Sequence, residues 1–315
     1  MTEIDFAYFN YEHGGLIDGQ DRFFSSGRGY NLGGLVRVAG DSDRWAHILI
    51  MGEGDRYELA GGEGMFEAAA AMRAAGGPPY VPLAGERPDE GLYGPVIFVD
   101  PRAVVIRRFF YHRLPDHAPR YSNLLVASLP GGPQKVFRVR TGHGALSGGD
   151  ERLAEAKKLR RLADPSIPTL VAMDWNSVPS GPDWEDQELN DPALWGQPGQ
   201  EWARAHRVRW EHGPGQAGPY VPDTQALDYL IGWWDPGQGR RIGGAGFFDA
   251  AELSGDATAT QVPAADGRQR RAIDRILVNR PWASAIVAGS YQVHQPADPA
   301  HPDSDHLRVS VTVRI

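Results

Sequence analysis

LVAMDWNSVP, residues 170–179, is the stretch on which the reading of this chain turns. Leu170, Val171, Ala172 and Met173 continue Thr169 as an uninterrupted apolar run of strand length, which reads as a strand buried on both faces. It ends abruptly in Asp174, Trp175 and Asn176. Side chains alternate along a strand, so Asp174 and Asn176 are expected on one side, with a carboxylate and an amide aimed at one point. Oxygen donors of that kind suit Mg²⁺ or Mn²⁺.

Strand-like and helical stretches alternate on both sides of this segment. Phe6 and Tyr8 alternate up to Asn10, and HILIM at 47–51 ends in Gly52 and Glu53. The Ala-rich stretch 63–75 reads as a helix stopped by Gly76, Gly77 and Pro78. Residues 96–99 and 103–106 read as a hairpin-like pair around Asp100 and Pro101, and 123–128 and 136–141 as strands flanking a Gly-Gly-Pro turn. Asp150 reads as the cap of a helix with Leu153, Ala156, Leu159 and Leu162 on one face, ended by Asp164 and Pro165. Residues 177–222, rich in Pro, Gly, Trp and acids, show no sustained period and are expected to form a long irregular insertion. IDRILV at 273–278 reads as a further strand. In the last segment Leu307, Val309, Val311, Val313 and Ile315 alternate with Arg308, Ser310, Thr312 and Arg314, the pattern of a strand with one buried face. A single domain over residues 1–315 is expected, carrying the insertion.

Composition excludes several classes of protein. The 315 residues contain no cysteine, which removes disulfides, Cys-ligated zinc, iron–sulfur clusters and thiol nucleophiles, so any metal must be held by oxygen and nitrogen. Only Lys135, Lys157 and Lys158 are lysines and none follows Gly, so there is no P-loop. No apolar run approaches the roughly 20 residues that cross a bilayer, and a cytoplasmic protein without membrane insertion is expected. The net charge of −8 argues against a protein that coats nucleic acid through a basic surface. It leaves room for a phosphodiesterase, because metal-binding carboxylates lower net charge while the bound cation reverses the local field.

Polar residues gather at the ends of the expected strands: Asn10, Glu53, Asp174 with Asn176, Asp274, and Asp305 with His306. Singly, each is an ordinary turn acid or cap. In order, they resemble the endonuclease/exonuclease/phosphatase superfamily, the deoxyribonuclease-I-like fold, through YFNYEHGG (Asn10), ILIMGEG (Glu53), VRTGHGAL (His143), LVAMDWNSVP (Asp174, Asn176), GFFDA at 246–250, AIDRILVN (Asp274) and SDHLRVSVTV (Asp305, His306). The resemblance covers almost the whole chain except 177–222. It implies an α/β fold in four αββα layers, with two mixed β-sheets packed face to face and helices outside. It also implies a Mg²⁺- or Mn²⁺-dependent phosphodiesterase, first a nuclease acting on DNA or RNA. A phosphatase or phosphodiesterase on a phospholipid, inositol phosphate or other small phosphoester is the second reading, and a non-catalytic binding member of the fold the third.

By the same resemblance Asn10 and Glu53 sit by the metal with Glu53 a direct ligand, and Asp305 helps hold the cation. His143 and Asn176 contact the scissile phosphate, Asp174 positions or deprotonates the attacking water, and His306, held by Asp274, completes the acid/base pair. The chemistry asks for these types, because hydrolysis moves negative charge onto phosphoryl and leaving oxygens while a carboxylate prepares water for attack.

The chain departs from the family pattern at Gly52, where Gln is frequent, and at Met173 and Trp175, where Gly and Phe are frequent. The family's Tyr or Arg between the Glu and the His has three candidates, Tyr80, Tyr93 and Tyr111. GPGQAG at 213–218 reads as a loop, because prolines interrupt it and no strand precedes it. His112 and His117 around Asp116 read as a solvated loop. Trp184, Trp202, Trp210, Trp233 and Trp234 lie in or near the insertion, where base stacking and core packing are both open to them, with core packing favoured for the Trp233–Trp234 pair.

Overall fold

A computed structural model describes residues 2–16, 29–40, 44–58, 61–85, 94–111, 122–131, 136–181, 208–210, 220–262, 271–300 and 302–315. In chain order the elements are β1 (Glu3–Asn10), α1 (Leu32–Ala39), β2 (Ile48–Gly52), α2 (Glu63–Ala74), β3 (Val81–Leu83), β4 (Val96–Val99), β5 (Val105–Tyr111), β6 (Asn123–Ser128), β7 (Val136–His143), α3 (Gly149–Leu159), β8 (Thr169–Asp174), β9 (Val208–Trp210), β10 (Tyr220–Pro222), α4 (Gln225–Ile231), β11 (Trp233–Asp235), β12 (Arg240–Ile242), β13 (Phe247–Asp249), α5 (Ala250–Leu253), β14 (Asp274–Asn279), α6 (Arg280–Ala283), β15 (Gln292–His294) and β16 (Arg308–Arg314).

Two six-stranded sheets carry the architecture, one in the order β15-β16-β1-β2-β4-β3 and the other β13-β14-β8-β7-β6-β5. Each is mixed, because β1 and β2 are parallel, as are β7 and β8, while the other neighbours in both sheets are antiparallel.

Strand alternation sorts the apolar residues into three layers of contact. Ile4, Phe6 and Tyr8 of β1, Ile48 and Ile50 of β2, Phe137 and Val139 of β7, Leu170 and Ala172 of β8, Ile276 and Val278 of β14, and Val309, Val311 and Val313 of β16 face inward and form the core between the sheets. The intervening residues face outward. Phe9, Leu49, Met51 and Phe98 meet Leu35 and Ala39 of α1 and Ala68 and Met72 of α2, while Val171, Met173 and Leu277 meet Ala156 and Leu159 of α3 and Leu227 and Leu230 of α4. The result is the four-layer αββα sandwich. No helix among the described residues is long and apolar enough to cross a membrane.

Several local expectations change. Residues 96–99 and 103–106 do not pair: β4 lies between β2 and β3 in the first sheet, while β5 pairs with β6 in the second. The Asp100–Pro101 turn therefore hands the chain from one sheet to the other, with Asp100 capping the N–H of Arg102 at 3.0 Å. Asp150 is not a cap; Gly148 holds that position and Asp150 sits in the first turn of α3, where its charge still complements the helix dipole. β16 is covered on both faces, because Arg308 is buried and donates to Ala39 O at 2.6 Å. Within 177–222 the described part includes a paired β9–β10 ribbon. Trp233 is 51% exposed, so core packing does not account for it. GPGQAG, the His112–His117 stretch, Trp184 and Trp202 lie outside the described residues, as does the side chain of Trp210.

The inter-sheet core is closed at its middle by an aromatic contact, Phe6 and Phe137 each packing on Trp282 of α6 with ring centroids 5.3 Å apart. Phe6→Ala is expected to destabilise the protein by about 3–5 kcal/mol through the cavity left between the sheets, read as a lower urea midpoint at unchanged m-value.

Candidate active site

The core-facing parity of the central strands does not stop where their apolar residues stop. On β1, Asn10 follows Ile4, Phe6 and Tyr8 on the inner face; on β7, His143 follows Phe137, Val139 and Thr141. On β8, Asp174 follows Leu170 and Ala172, and on β14 Asp274 precedes Ile276 and Val278. Register aligns them, since His143 lies beside Asp174, Asp174 beside Asp274, and Asn10 beside Gly52, the residue before Glu53. The two sheets thus meet through apolar side chains along most of their length and through polar ones at this end.

Hydrogen bonds stitch the sheets together there. Asn10 Nδ2 donates to Glu53 Oε1 at 2.9 Å and to Asp174 Oδ2 at 3.3 Å, and His143 Nε2 reaches Glu53 Oε1 at 3.2 Å. Two carboxylates on the nitrogen side of the Asn10 amide fix which way it points. Glu53 Oε2 accepts the His13 N–H at 3.0 Å. Asp274 Oδ2 accepts from His306 Nδ1 at 2.7 Å and from the Thr260 hydroxyl at 2.7 Å. The structure thus brings Asn10, Glu53, His143, Asp174, Asp274 and His306 together.

Asn176 arrives by another route than strand alternation. β8 ends at Asp174, whose Oδ1 accepts the Asn176 N–H at 2.7 Å, and Asn176 adopts φ 49°, a left-handed turn that Asn tolerates. Its side-chain amide donates to Gly144 O at 3.1 Å, the same carbonyl that faces His143 Nδ1 at 3.0 Å. The four non-glycine residues with left-handed φ among those described are His13, Glu53, Arg56 and Asn176, two of them in this group and His13 bonded to it. Backbone strain of this kind costs roughly 1–3 kcal/mol per residue and concentrates where geometry is set by function.

Asp305 stands at the rim. Its side chain is 54% exposed and its carboxylate lies 3.8 Å from His306 Nε2. Glu12, which the sequence reading passed over, is close enough to Asp305 and Glu53 for their charge, after its own burial, to raise its carboxyl. Its place two residues after Asn10 was the available signal. Thr260 and Tyr8 were also missed, because neither is a charged or metal-ligating type. Of the three tyrosines, Tyr80 points away into the outer layer, its hydroxyl donating to Ala46 O at 2.5 Å. Tyr93 lies outside the described residues. Tyr111 ends β5 at this end of the sheet, in register with Asn123, and is 40% exposed.

Electrostatics follow from burial and neighbours. Burial alone would raise the Glu53 carboxyl, but the bonds from His143, His13 and Asn10 outweigh it and hold Glu53 below the usual range. Burial would lower His143, yet Glu53 and Asp174 raise it to about 9, and with acceptors at both ring nitrogens it is an imidazolium at neutral pH. His306 is likewise raised, burial being overridden by Asp274 and then Asp174. Asp174 is raised by burial and by the Asp274 charge, against the pull of both histidines.

Asp174, Asp274 and His306 each offer a ligand atom within 4.8 Å of the others. The proton shared by His306 and Asp274 makes that trio a poor cation cage. A second group suits a small hard cation better: Asn10 Oδ1 is buried with no hydrogen-bond partner among the described residues, and it belongs to a side chain bonded to the Glu53 carboxylate. Thr141 Oγ1 and Asp274 Oδ1, on the same inner face, are also buried without hydrogen-bond partners among the described residues. Three oxygens in that condition at one end of the core mark a place built for a polar occupant.

No protein-family model and no curated protein sequence matches the chain. Solved structures do. An endonuclease/exonuclease/phosphatase from Bacteroides vulgatus superposes with TM-score 0.60 at 14% identity, covering 100% of both chains. A 3'-5' exonuclease from Neisseria meningitidis gives 0.55 at 15% identity, covering 98% of this chain and 100% of that one. Humanized D. rerio TDP2 gives 0.52 at 13% identity, covering 99% of each. The chain has the endonuclease/exonuclease/phosphatase fold.

A histidine whose pKa rises on folding stabilises the protein fully below its ordinary value of 6.5 and loses that contribution as pH climbs through about 9. In metal-free buffer the melting temperature is expected to fall by several degrees across that window, and His143→Gln to flatten the decline, by calorimetry at stepped pH.

Proposed function

We propose that this chain is a divalent-metal-dependent phosphodiesterase that hydrolyses nucleic-acid phosphodiester bonds as a nuclease. The observation that carries the reading is the convergence, at one end of the inter-sheet core, of a Glu53–Asn10 oxygen pair, a buried imidazolium at His143, a carboxylate at Asp174 and the hydrogen-bonded Asp274–His306 pair. The fold supports it, because its structural relatives include NExo of Neisseria, a 3'-5' exonuclease and 3' phosphatase solved bound to a product DNA hairpin.

Glu53 and Asn10 Oδ1 are the residues that would hold Mg²⁺ or Mn²⁺, with Glu12 and Asp305 at the rim of the same site. Such an ion supplies charge stabilisation for phosphoryl oxygens. The remaining chemistry belongs to the chain. His143 and the Asn176 amide bind and orient the scissile phosphate. Asp174, whose raised pKa makes it a better base than an exposed carboxylate, takes the proton of the attacking water as its oxygen bonds to phosphorus. The ester P–O bond opposite breaks, and the imidazolium of His306, kept protonated and oriented by Asp274, gives its proton to the oxygen that leaves.

A small phosphoester is the second reading, favoured by the net charge of −8. A panel of supercoiled plasmid, labelled oligonucleotides, a phospholipid and an inositol phosphate separates the two. Cutting of nucleic acid with Mg²⁺ or Mn²⁺, abolished by chelator, is expected. Asp174→Ala and His306→Ala are expected to lower the rate by about 10²–10⁴-fold, and wild-type rates in both would overturn the site.

A further inference from the structure

Tyr8 is fully buried, and its ring belongs to the core between the sheets. Its hydroxyl does not. Tyr8 Oη accepts the backbone N–H of Asp174 at 2.7 Å, across from one sheet to the other. Room for it exists because residue 52 is glycine: a Cβ there would stand 2.5 Å from Tyr8 Oη and 3.2 Å from Cζ. Gly52 does not have a left-handed φ, so its backbone would accept other residues, and it is the space that calls for glycine. Tyr8 of the neighbouring strand fills the volume that a side chain at position 52 would need.

A tyrosine hydroxyl carries its proton at neutral pH, and the Asp274 and Asp174 carboxylates lie close enough for their charges to act on it. One lone pair is used on Asp174 N–H, and no acceptor among the described residues takes the O–H. Asp274 Oδ1, buried on the same floor, has no donor there. A donor and an acceptor left over beside two carboxylates are the polar groups that one water molecule would need.

We propose that Tyr8 is a positioning residue for hydrolysis, fixing Asp174 through its backbone N–H and holding, together with Asp274 Oδ1, the water that attacks phosphorus. The inference rests on the phosphodiesterase reading. A water that accepts from Tyr8 and donates to Asp274 and Asp174 keeps one lone pair for the phosphorus. When the O–P bond forms and the ester P–O bond breaks, the water's proton passes to Asp174.

The test uses the full-length protein with Mg²⁺, bis(p-nitrophenyl) phosphate and a labelled oligonucleotide, and the variants Tyr8→Phe, Gly52→Ala and their combination. Tyr8→Phe keeps the ring and is expected to lower kcat about 10- to 100-fold, with KM little changed and the urea midpoint lowered because the buried Asp174 N–H loses its acceptor. Gly52→Ala is expected to lose activity by displacing the hydroxyl. The double variant, in which the nearest collision partner is gone and only the milder 3.2 Å contact with Cζ remains, is expected to be little worse than Tyr8→Phe alone. Additive losses, or an unchanged kcat in Tyr8→Phe, would overturn the assignment. A high-resolution crystal structure decides the matter without any assay: a water within hydrogen-bond reach of both Tyr8 Oη and Asp274 Oδ1, missing in Tyr8→Phe, supports it, and the absence of that water in the wild type refutes it. If the wild type hydrolyses no phosphoester while that water is present, the functional reading fails and the positioning of Asp174 by Tyr8 stands.

Discussion

Burying Glu53, Asp174 and Asp274 near one another is the constraint to which the rest of the structure answers. Each carboxylate leaves water at a cost of several kcal/mol, and neighbouring like charges add to it. His143 between Glu53 and Asp174, and His306 against Asp274, return most of that energy by carrying positive charge inside the same envelope. The histidines gain as much, since their imidazolium forms would not survive burial without those acids. Removal of any one member leaves a buried charge uncompensated, so the group behaves as a unit.

Strand geometry is what lets a small protein core host such a unit. A sheet delivers every second residue to the core, and a single polar residue at the end of each central strand inherits the position that an apolar residue would have had. Six strands of two sheets meet along Phe6, Ile50, Val139, Leu170, Ile276 and Val311, and their close packing holds the polar ends in place. Turns with left-handed φ at Glu53 and Asn176 then aim side chains that strand geometry could not. Such preorganisation is what charge stabilisation in a reacting site needs.

Much of the fold was legible in the linear pattern. The alternation of 307–315, the apolar run before Asp174 and the Ala-rich helix before Gly76 each correspond to an element within a residue or two. Local pattern misled where only partner choice mattered: residues 96–99 and 103–106 look like two arms of a hairpin, yet they belong to different sheets, because nothing in a strand's own residues says which strand it pairs with. Asn176 adjoins Asp174 through a turn rather than along an extended strand, its backbone N–H on the Asp174 carboxylate and its side-chain amide on Gly144 O.

Residue type and parity, both properties of the chain as a string, determined which side chains face the core and which of these are polar: Asn10, Asp174 and Asp274 could be picked out from strand ends and the run of neighbours, whereas His143 came only from the family resemblance. Tertiary structure decided what those side chains do to one another. That Asn10 on β1 touches Asp174 on β8, that Thr260 holds Asp274, and that Tyr8 occupies the room left by Gly52 are facts about distances between segments far apart in sequence. Short-range order is written in propensity and period, whereas proton positions and charge states depend on the inverse distance between groups, and only the packed sheets set that distance.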